Sequence, residues 1–588
     1  SQTLESAHLL QSPISSINSL SHRSLLVDNF VSSRKMPYKS EWTIDIPDTH
    51  LASLMFTSPT QPLSDSARLL VDTEKPDTHF FTPASFRLMC QRLALGLQQH
   101  GIEPGDRVLY ASGNTLLYPV IFVGIIMAGG VFTGANPTYV PRELAYQIKD
   151  SEPTIFLCSK QILPNGLRAA SIAGLAPSQI YVVDELPNGE MQEENSCRWW
   201  GELLAPEDTA RHFAWNPLSA PGEAANTLLA LNYSSGTAGL PKGVEITHRN
   251  YVANILQGIH NYKLGEEMAE RCIIYLPMYH SLSQRRIITS LIQRSEVFIM
   301  PKYEFKSLLE NIQRFRITML VMVPPVAVSL AKSPIVKNYD LGSVKIAGSG
   351  AAPLTKEICE TIEEMLNNQV AIKQGWGMTE LTCSFLFWIP GKYYPRSSVG
   401  EPLANCEAKI MNEDGTAELG VNQRGELWAR GPNVMRGYWK NPQATADTVT
   451  PDGWLKSGDV AYVDEEGRFF IVDRLKELIK VKGVQVAPAE LEGLLLHHPA
   501  VADAAVTALK IDSGEYPRAY VVLKAGQHAT DKEIMDFVKE RVAPVKQLTG
   551  GVVFLDAIPK NASGKILRNV LKKMAQREAK TFSVASKL

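Results

Sequence analysis

YSSGTAGLPKG, Tyr233 to Gly243, stands directly after the apolar run LLALN, Leu228 to Asn232. Ser234, Ser235 and Thr237 offer hydroxyl donors, Gly236 and Gly239 let the backbone approach a ligand, and Lys242 adds a positive charge. A strand feeding such a loop, with a helix expected next, is a cradle suited to phosphate. Taken alone, the string also fits a plain Gly/Ser surface loop. It is not a G-x-x-x-x-G-K-[ST] loop, which needs Gly at 241 and Ser or Thr at 243, where this chain has Pro241 and Gly243.

Upstream of this stretch, strands and helices alternate. Thr82 and Pro83 form a helix start, Phe86, Cys90, Leu93 and Leu97 follow at helical spacing, and Gly101 stops the element. Short apolar strands are expected at Val108 to Tyr110, Ile155 to Cys158, Ile180 to Asp184, Leu228 to Tyr233, Cys272 to Leu276, Met319 to Val323 and Ser343 to Ala347. This is an α/β pattern with largely parallel sheets. After about residue 395 the Gly/Pro turns become dense, and strands such as Glu426 to Ala429 and Phe469 to Val472 indicate a β-rich subdomain. A small α+β module follows from about Lys476.

Charge and composition exclude several classes. The 588 residues carry 59 Lys+Arg and 61 Asp+Glu, a net charge of −2, with 45% hydrophobic and 20% charged residues. That balance supports a buried core and gives no electrostatic footprint for nucleic acid or an anionic membrane. The seven cysteines lack C-x-x-C pairing, which argues against a disulfide framework or structural zinc and for a reducing compartment. Leu116 to Ala135 is free of charge and long enough to span a bilayer. Its Pro119, Gly124, Gly129-Gly130 and Gly134 instead predict a buried helix followed by a buried strand, with no membrane span.

The ends carry separate signals. Residues 1–44 form an N-terminal extension expected to be poorly ordered. It is too poor in Arg for a typical transit peptide, and Met36 is a candidate alternative start. Ser586-Lys587-Leu588 is the tripeptide read by the peroxisomal import receptor when it is a free C-terminus, so the expected location is the peroxisome.

Four further strings follow in order: QGWGMTE (Gln374 to Glu380), GELWARGPNVMRGYWKNP (Gly425 to Pro442), WLKSGDVAYVDEEGRFFIVDRLKELIKVKGVQVAPAELE (Trp454 to Glu492) and PKNASGKILR (Pro559 to Arg568). Together with the first, they resemble the adenylate-forming, AMP-binding superfamily of acyl-CoA synthetases, luciferases and peptide-synthetase adenylation domains. Within it the chain is most similar to 4-coumarate-CoA-ligase-like acyl-CoA ligases, including peroxisomal fungal ones. The resemblance covers about residues 45 to 575. It implies an AMP-binding adenylation domain over 45–475 and a mobile C-terminal domain over 476–588. The implied activity is acyl-AMP formation from ATP with release of pyrophosphate, then transfer to coenzyme A.

The resemblance also implies roles. Lys565 would bridge the carboxylate and the α-phosphate; Glu380 would hold Mg²⁺, with Thr379 beside the phosphate. Ser234, Ser235, Gly236, Thr237, Gly239 and Lys242 would line the phosphates, and Gln374, Gly375, Gly377 and Met378 would border the nucleotide. Asp459 and Arg474 would take the ribose hydroxyls. Trp376 would stack on adenine, with Gly350 and Ala351 on the other side. Lys476 matches a hinge about which the C-terminal domain rotates for the second half-reaction. That rotation would bring Lys480 and Gln485 into the site, with Lys482 and Gly483 toward CoA. Tyr279, His280, Gly377, Thr382 and Cys383 would line the acyl pocket.

Two features depart from the family pattern. Ala238 replaces a usual Thr, which removes one hydroxyl from the cradle. Tyr279-His280 is followed by Gln284, Arg285 and Arg286 where related chains continue mostly apolar. Either one or both arginines point to solvent, or Arg285 or Arg286 meets a second polar or anionic group on the substrate. Competing functions are a peptide-synthetase-like adenylating unit, disfavoured by the lack of a Gly-Gly-x-Ser carrier signature, a luciferase-type oxidation, and a silent nucleotide-binding protein. Retention of Lys565, Glu380, Asp459 and Arg474 opposes the last.

Overall fold

The structure, a computed structural model, describes residues 37–57, 66–183, 197–234, 240–264, 271–481, 484–511, 514–561 and 564–585. The N-terminal 36 residues, the centre of the phosphate loop at 235–239, Lys482, Gly483 and the terminal Ser586-Lys587-Leu588 lie outside these.

The charge-free stretch shows how the core is made. Tyr118–Met127 is a helix with all ten residues buried, and Val131–Ala135 is a strand buried throughout. A helix apolar on every face has to sit inside protein. Gly129, at φ 89°, supplies the left-handed turn between the two. No helix among the described residues is long and apolar enough to cross a membrane. Next to it, Thr82 caps the helix Pro83–Gln99, exchanging hydrogen bonds with Ser85, and Gly101 ends it at φ 84°.

Two mainly parallel sheets flank this core. One has eight strands, in the order Gly437–Tyr438, Lys242–Thr247, Leu228–Ser234, Val131–Ala135, Arg107–Ala111, Ile155–Ser159, Ile180–Val183 and Arg198–Trp199, with the first two antiparallel to their neighbours. The other has seven, in the order Ile372–Gln374, Ile346–Ser349, Met319–Met322, Arg271–Ile274, Glu296–Ile299, Leu70–Asp72 and Phe80–Phe81. Side chains of both, among them Val108, Phe132, Val297 and Ile299, share one apolar cluster with the buried helix. A five-stranded antiparallel sheet carries Tyr38–Lys39, Glu407–Met411, Gly425–Arg430, Leu455–Val463 and Phe469–Arg474, so the end of the stretch expected as a poorly ordered extension, residues 1–44, is built into the fold by backbone pairing and by the buried Tyr38.

The C-terminal module has its own core, with Ile479, Val486, Leu491, Val506, Val521, Ile534 and Val538. Its order at the last helix, Arg568–Ala585, rests on a fork: Arg568 meets both oxygens of Glu492, with Nη2 to Oε2 at 2.9 Å, and also donates to the Val506 carbonyl at 2.8 Å. Bidentate pairs of this kind fix orientation as well as charge. Against the rest of the chain, Lys332 Nζ donates to the Leu496 carbonyl at 2.8 Å and His497 meets Glu357 at 3.0 Å.

Three further expectations shift. The phosphate loop leads into the strand Lys242–Thr247, not directly into a helix; the helix His248–Leu264 comes after it. Val244 and Ile246 bury their side chains in antiparallel pairing with Leu228–Ser234, so the loop closes a hairpin. The strand expected at Ser343 to Ala347 starts at Ile346, because Ser343 caps the Ile317 carbonyl and Leu341 to Val344 forms a turn. The strand expected to reach Leu276 stops at Ile274.

Gly400 joins this framework at φ 88°, where a Cβ would lie 2.0 Å from the Phe387 carbonyl oxygen. Gly400→Ala is therefore expected to cost about 3 kcal/mol or more of unfolding free energy, read by urea denaturation followed by circular dichroism.

Candidate active site

The neck of the phosphate loop is built as a hairpin. Ser234 and Lys242 face each other across it. Tyr233 OH donates to Asp150 at 2.6 Å and Tyr146 OH to the Pro241 carbonyl at 3.0 Å, so the helix Pro141–Ser151 pins both strands. Lys242 Nζ lies 4.5 Å from the centre of the Tyr438 ring. Tyr438 OH in turn donates to Glu380 Oε1 at 2.9 Å. The loop's cation and the candidate metal carboxylate thus share one aromatic neighbour, and Ser235, Gly236, Thr237 and Gly239 lie outside the described residues.

Glu380 is 6% exposed, in the short turn Thr379–Leu381, with Thr379 and Met378 partly buried beside it. The chain then makes a tight bend. Thr382 sits at φ 65°, ψ −50°, and the Cys383 amide donates to the Leu381 carbonyl at 2.7 Å, which is a γ-turn. A β-branched residue in this region is strained, and the Thr382 hydroxyl secures it by donating to the Asn433 carbonyl at 2.8 Å. Gly377 makes the bend possible, since its Cβ would fall 1.8 Å from the Cys383 carbonyl oxygen.

Asp459 and Arg474 stand directly opposite in the antiparallel pair Leu455–Val463 and Phe469–Arg474. Arg474 Nε lies 2.8 Å from Asp459 Oδ1, close enough to pair by charge, yet off the N–H axis, so Oδ1 accepts no aligned hydrogen bond. Asp459 Oδ2 accepts from Trp376 Nε1 at 2.8 Å. A buried carboxylate with an oxygen in hand and a guanidinium beside it suits a diol such as ribose.

Lys565 enters next to these groups. Its loop is set by the Asn561 side chain, which accepts from the Lys565 amide at 2.8 Å, and by Gly564, packed on Pro325. Burial first, then the Arg474 charge, lower the Lys565 ammonium to about 8, while Asp459, Glu380 and Glu477 pull the other way. Lys565 therefore lies within electrostatic reach of Arg474, Asp459, Glu380 and Glu477. His280 caps the helix Ser281–Ile292, and its Nε2 is shut off from solvent with no hydrogen-bond partner among the described residues. Burial, and next the Lys565 charge, lower its pKa to about 4, so it is neutral at pH 7. Its ring packs on Tyr279, 4.2 Å between centres.

Some expected residues take other places. Trp376 is only 8% exposed, with its edge on Phe385 and its nitrogen on Asp459, so it positions Asp459 rather than offering a free face to adenine. Gln374 spends its amide on the Leu354 amide and carbonyl and the Arg396 carbonyl, which holds the Gly350 and Ala351 turn. Ala351 adopts φ 72°, and the Gly375 amide donates to the Ser349 carbonyl at 3.0 Å beside it. Lys480 and Gln485 are not in the site: they are exposed partners on the ribbon Ile479–Val481 and Val484–Val486, and Lys480 Nζ meets Glu413 at 3.3 Å. Lys476 falls in the turn just before that ribbon, and Lys482 and Gly483 lie outside the described residues. Neither Arg285 nor Arg286 points to solvent; they are 9% and 6% exposed. Tyr438 had no role assigned from sequence, although it lies in the GYWKNP string, because its partners Lys242 and Glu380 are distant in the chain.

Comparison with known proteins agrees with this geometry. Residues 64–439 match the model of the AMP-binding enzyme family, and residues 490–565 match the AMP-binding enzyme C-terminal domain. Probable CoA ligase CCL5 of Humulus lupulus is 35% identical over 554 residues, 93% of this chain and 97% of that protein. The 4-coumarate–CoA ligase 2 of Oryza sativa subsp. japonica is 38% identical over 508 residues, 84% of this chain and 87% of its own length. In fold, the chain is similar to a benzoate CoA ligase from Burkholderia xenovorans LB400, with a TM-score of 0.75 at 23% identity, over 89% of this chain and 99% of that one. Matched over most of its length by the family model and by a relative of 35% identity, the chain belongs to the AMP-binding enzyme family.

Proposed function

We propose that this protein is an ATP-dependent acyl-CoA ligase. The observation that carries the reading is the meeting of Lys565 with Glu380, Asp459 and Arg474, next to the unpartnered Nε2 of His280. A carboxylate oxygen attacks the α-phosphorus of ATP, the bond to the bridging oxygen breaks, and pyrophosphate leaves with its electron pair. Negative charge accumulates on the α-phosphate as this occurs, and a fixed ammonium there stabilises it. Lys565 is that ammonium. His280, neutral and within reach of the Lys565 charge, orients the acid. Asp459 and Arg474 hold the ribose, while Ser234 and Lys242 flank the loop that takes the outer phosphates.

Mg²⁺ fits the donor set as a companion of ATP. Among the described residues no group of three or more His, Cys, Asp or Glu forms a cage. Mg²⁺ characteristically takes one or two carboxylates plus phosphate oxygens, and Glu380 has one oxygen left beyond its bond from Tyr438. The ion would neutralise phosphate charge. In the second half-reaction the CoA sulfur attacks the acyl carbonyl and AMP leaves. Lys565 occupies the approach, so the turn at Lys476 is the place for the C-terminal module to swing it out and bring in Lys480 and Gln485. With Ser586-Lys587-Leu588 as a free carboxyl terminus, the import receptor would carry the enzyme into peroxisomes.

Three outcomes test this reading. Lys565→Ala should slow acid-dependent pyrophosphate release by about 10²- to 10³-fold while sparing thioester formation from supplied acyl-AMP; equal loss in both assays contradicts the division of labour. Because the protonated Lys565 is the working form, kcat/KM for adenylation should be flat below about 8 and fall above it, and Lys565→Arg should remove that fall. A fluorescent protein fused at the N-terminus should collect in peroxisomes, and deletion of residues 586–588 should return it to the cytosol.

A further inference from the structure

The helix Ser281–Ile292 buries two neighbouring guanidinium groups, and among the described residues neither has a carboxylate within ion-pairing distance. This sets them apart in the molecule. Arg396 is paired with Glu363, Arg468 with Asp464, Arg474 with Asp459, Arg518 with Glu578 and Arg568 with Glu492. An uncompensated buried cation is costly, so it persists where a partner arrives from elsewhere.

The two arginines differ. Arg286 is fully engaged by neutral groups: Nε and Nη2 donate to Ser290 Oγ at 3.1 and 3.0 Å, Nη1 to Tyr262 OH at 3.3 Å, and Nη2 also to Gln293 Oε1 at 3.5 Å. Arg285 is not. Its Nε and Nη2 share one acceptor, the Asn254 carbonyl, at 3.2 Å each, and Nη1 has no hydrogen-bond partner among the described residues. Space for the group is built in, since a Cβ on Gly258 of the facing helix would lie 2.0 Å from Arg285 Nη2.

Its position relates it to the reaction centre. Ser281, which follows His280, is one turn before Arg285 on the same face. Asn254, whose carbonyl Arg285 holds, also donates from Nδ2 to the Ser384 carbonyl at 2.7 Å and accepts from the Ser384 amide at 3.2 Å, and the neighbouring Cys383 thiol, pushed up by burial, is drawn back by the Arg285 charge. Cys383 in turn closes the γ-turn that follows Glu380. Tyr251 OH, buried and without a hydrogen-bond partner among the described residues, also feels the Arg285 charge. Arg285 is thus tied through Asn254 to the segment that follows Thr379 and Glu380, and it lies five residues along the helix from His280, a rise of about 7.5 Å.

We propose that Arg285 receives, through its unused Nη1, a second carboxylate at the far end of the acid, and that this protein activates short-chain dicarboxylic acids. The inference rests on the ligase reading above. One carboxylate reacts beside Lys565 and His280; the other neutralises the buried guanidinium, with Tyr251 OH as an additional donor.

The test uses the full chain with ATP, Mg²⁺ and CoA, and follows pyrophosphate and thioester formation. Succinic, glutaric and adipic acids are compared with butyric, valeric and hexanoic acids, together with 4-coumaric acid. The expected result is a kcat/KM at least tenfold higher for a diacid than for the monoacid of equal length. Arg285→Gln should reduce that ratio at least tenfold, mostly through KM, and Arg285→Lys should restore part of it. Thioester formation from monoacids or 4-coumaric acid with diacids ignored, or an unchanged ratio in Arg285→Gln, overturns the inference and leaves the ligase reading standing. Silence with every acid sinks the ligase reading and this inference with it. The wild-type preference decides the matter even where a variant fails to fold.

Discussion

The carboxylate of Asp459 joins parts of the chain that have no local reason to meet. One oxygen accepts from Trp376, 83 residues upstream, and the other lies 2.8 Å from Arg474 on the neighbouring strand. Through the first it ties the antiparallel sheet to the segment that carries Glu380; through the second it sets the guanidinium that Lys565 encounters. A buried carboxylate held this way depends on both partners staying in place, so the geometry of the site and the packing of the sheets support each other.

Charge at the site is distributed to favour anionic substrates without closing on itself. Lys565 and Arg474 lie near one another, and their repulsion, added to burial, lowers the lysine's proton affinity. Glu380 is held by Tyr438, and Tyr438 lies beneath Lys242, so the loop cation, the ring and the carboxylate form a row rather than an ion pair. An ion pair there would have to be broken by each incoming nucleotide. The strained γ-turn at Thr382 and the buried, unpartnered Nε2 of His280 are similarly kept by surroundings that over-determine them. All seven cysteines are buried and none forms a disulfide.

Much of the architecture was legible in residue order. The cap at Thr82, the stop at Gly101, the buried helix and strand within 116–135, and strands such as Arg107–Ala111 and Ile155–Ser159 follow from short-range rules. So were the identities of Lys565, Glu380, Asp459 and Arg474, because each sits in a distinctive string. The misreadings have a common cause. The strand after the phosphate loop, the late start at Ile346 and the commitment of Trp376 and Gln374 to partners inside the protein all depend on pairing between distant segments.

The same division holds for substrate recognition. A chain written in one dimension determines which side chains exist, their local periodicity and the turns that their backbones require, and with them the α/β class and the family. It does not determine where a long polar side chain goes. Arg285 and Arg286 are adjacent and chemically identical, yet one is satisfied by Ser290, Tyr262 and Gln293 and the other keeps an unused nitrogen. Successive residues on a helix point about 100° apart, so neighbours in sequence meet different walls. Only the packing of the helix His248–Leu264, with Gly258 opposite Arg285, decided which guanidinium was left with a free nitrogen.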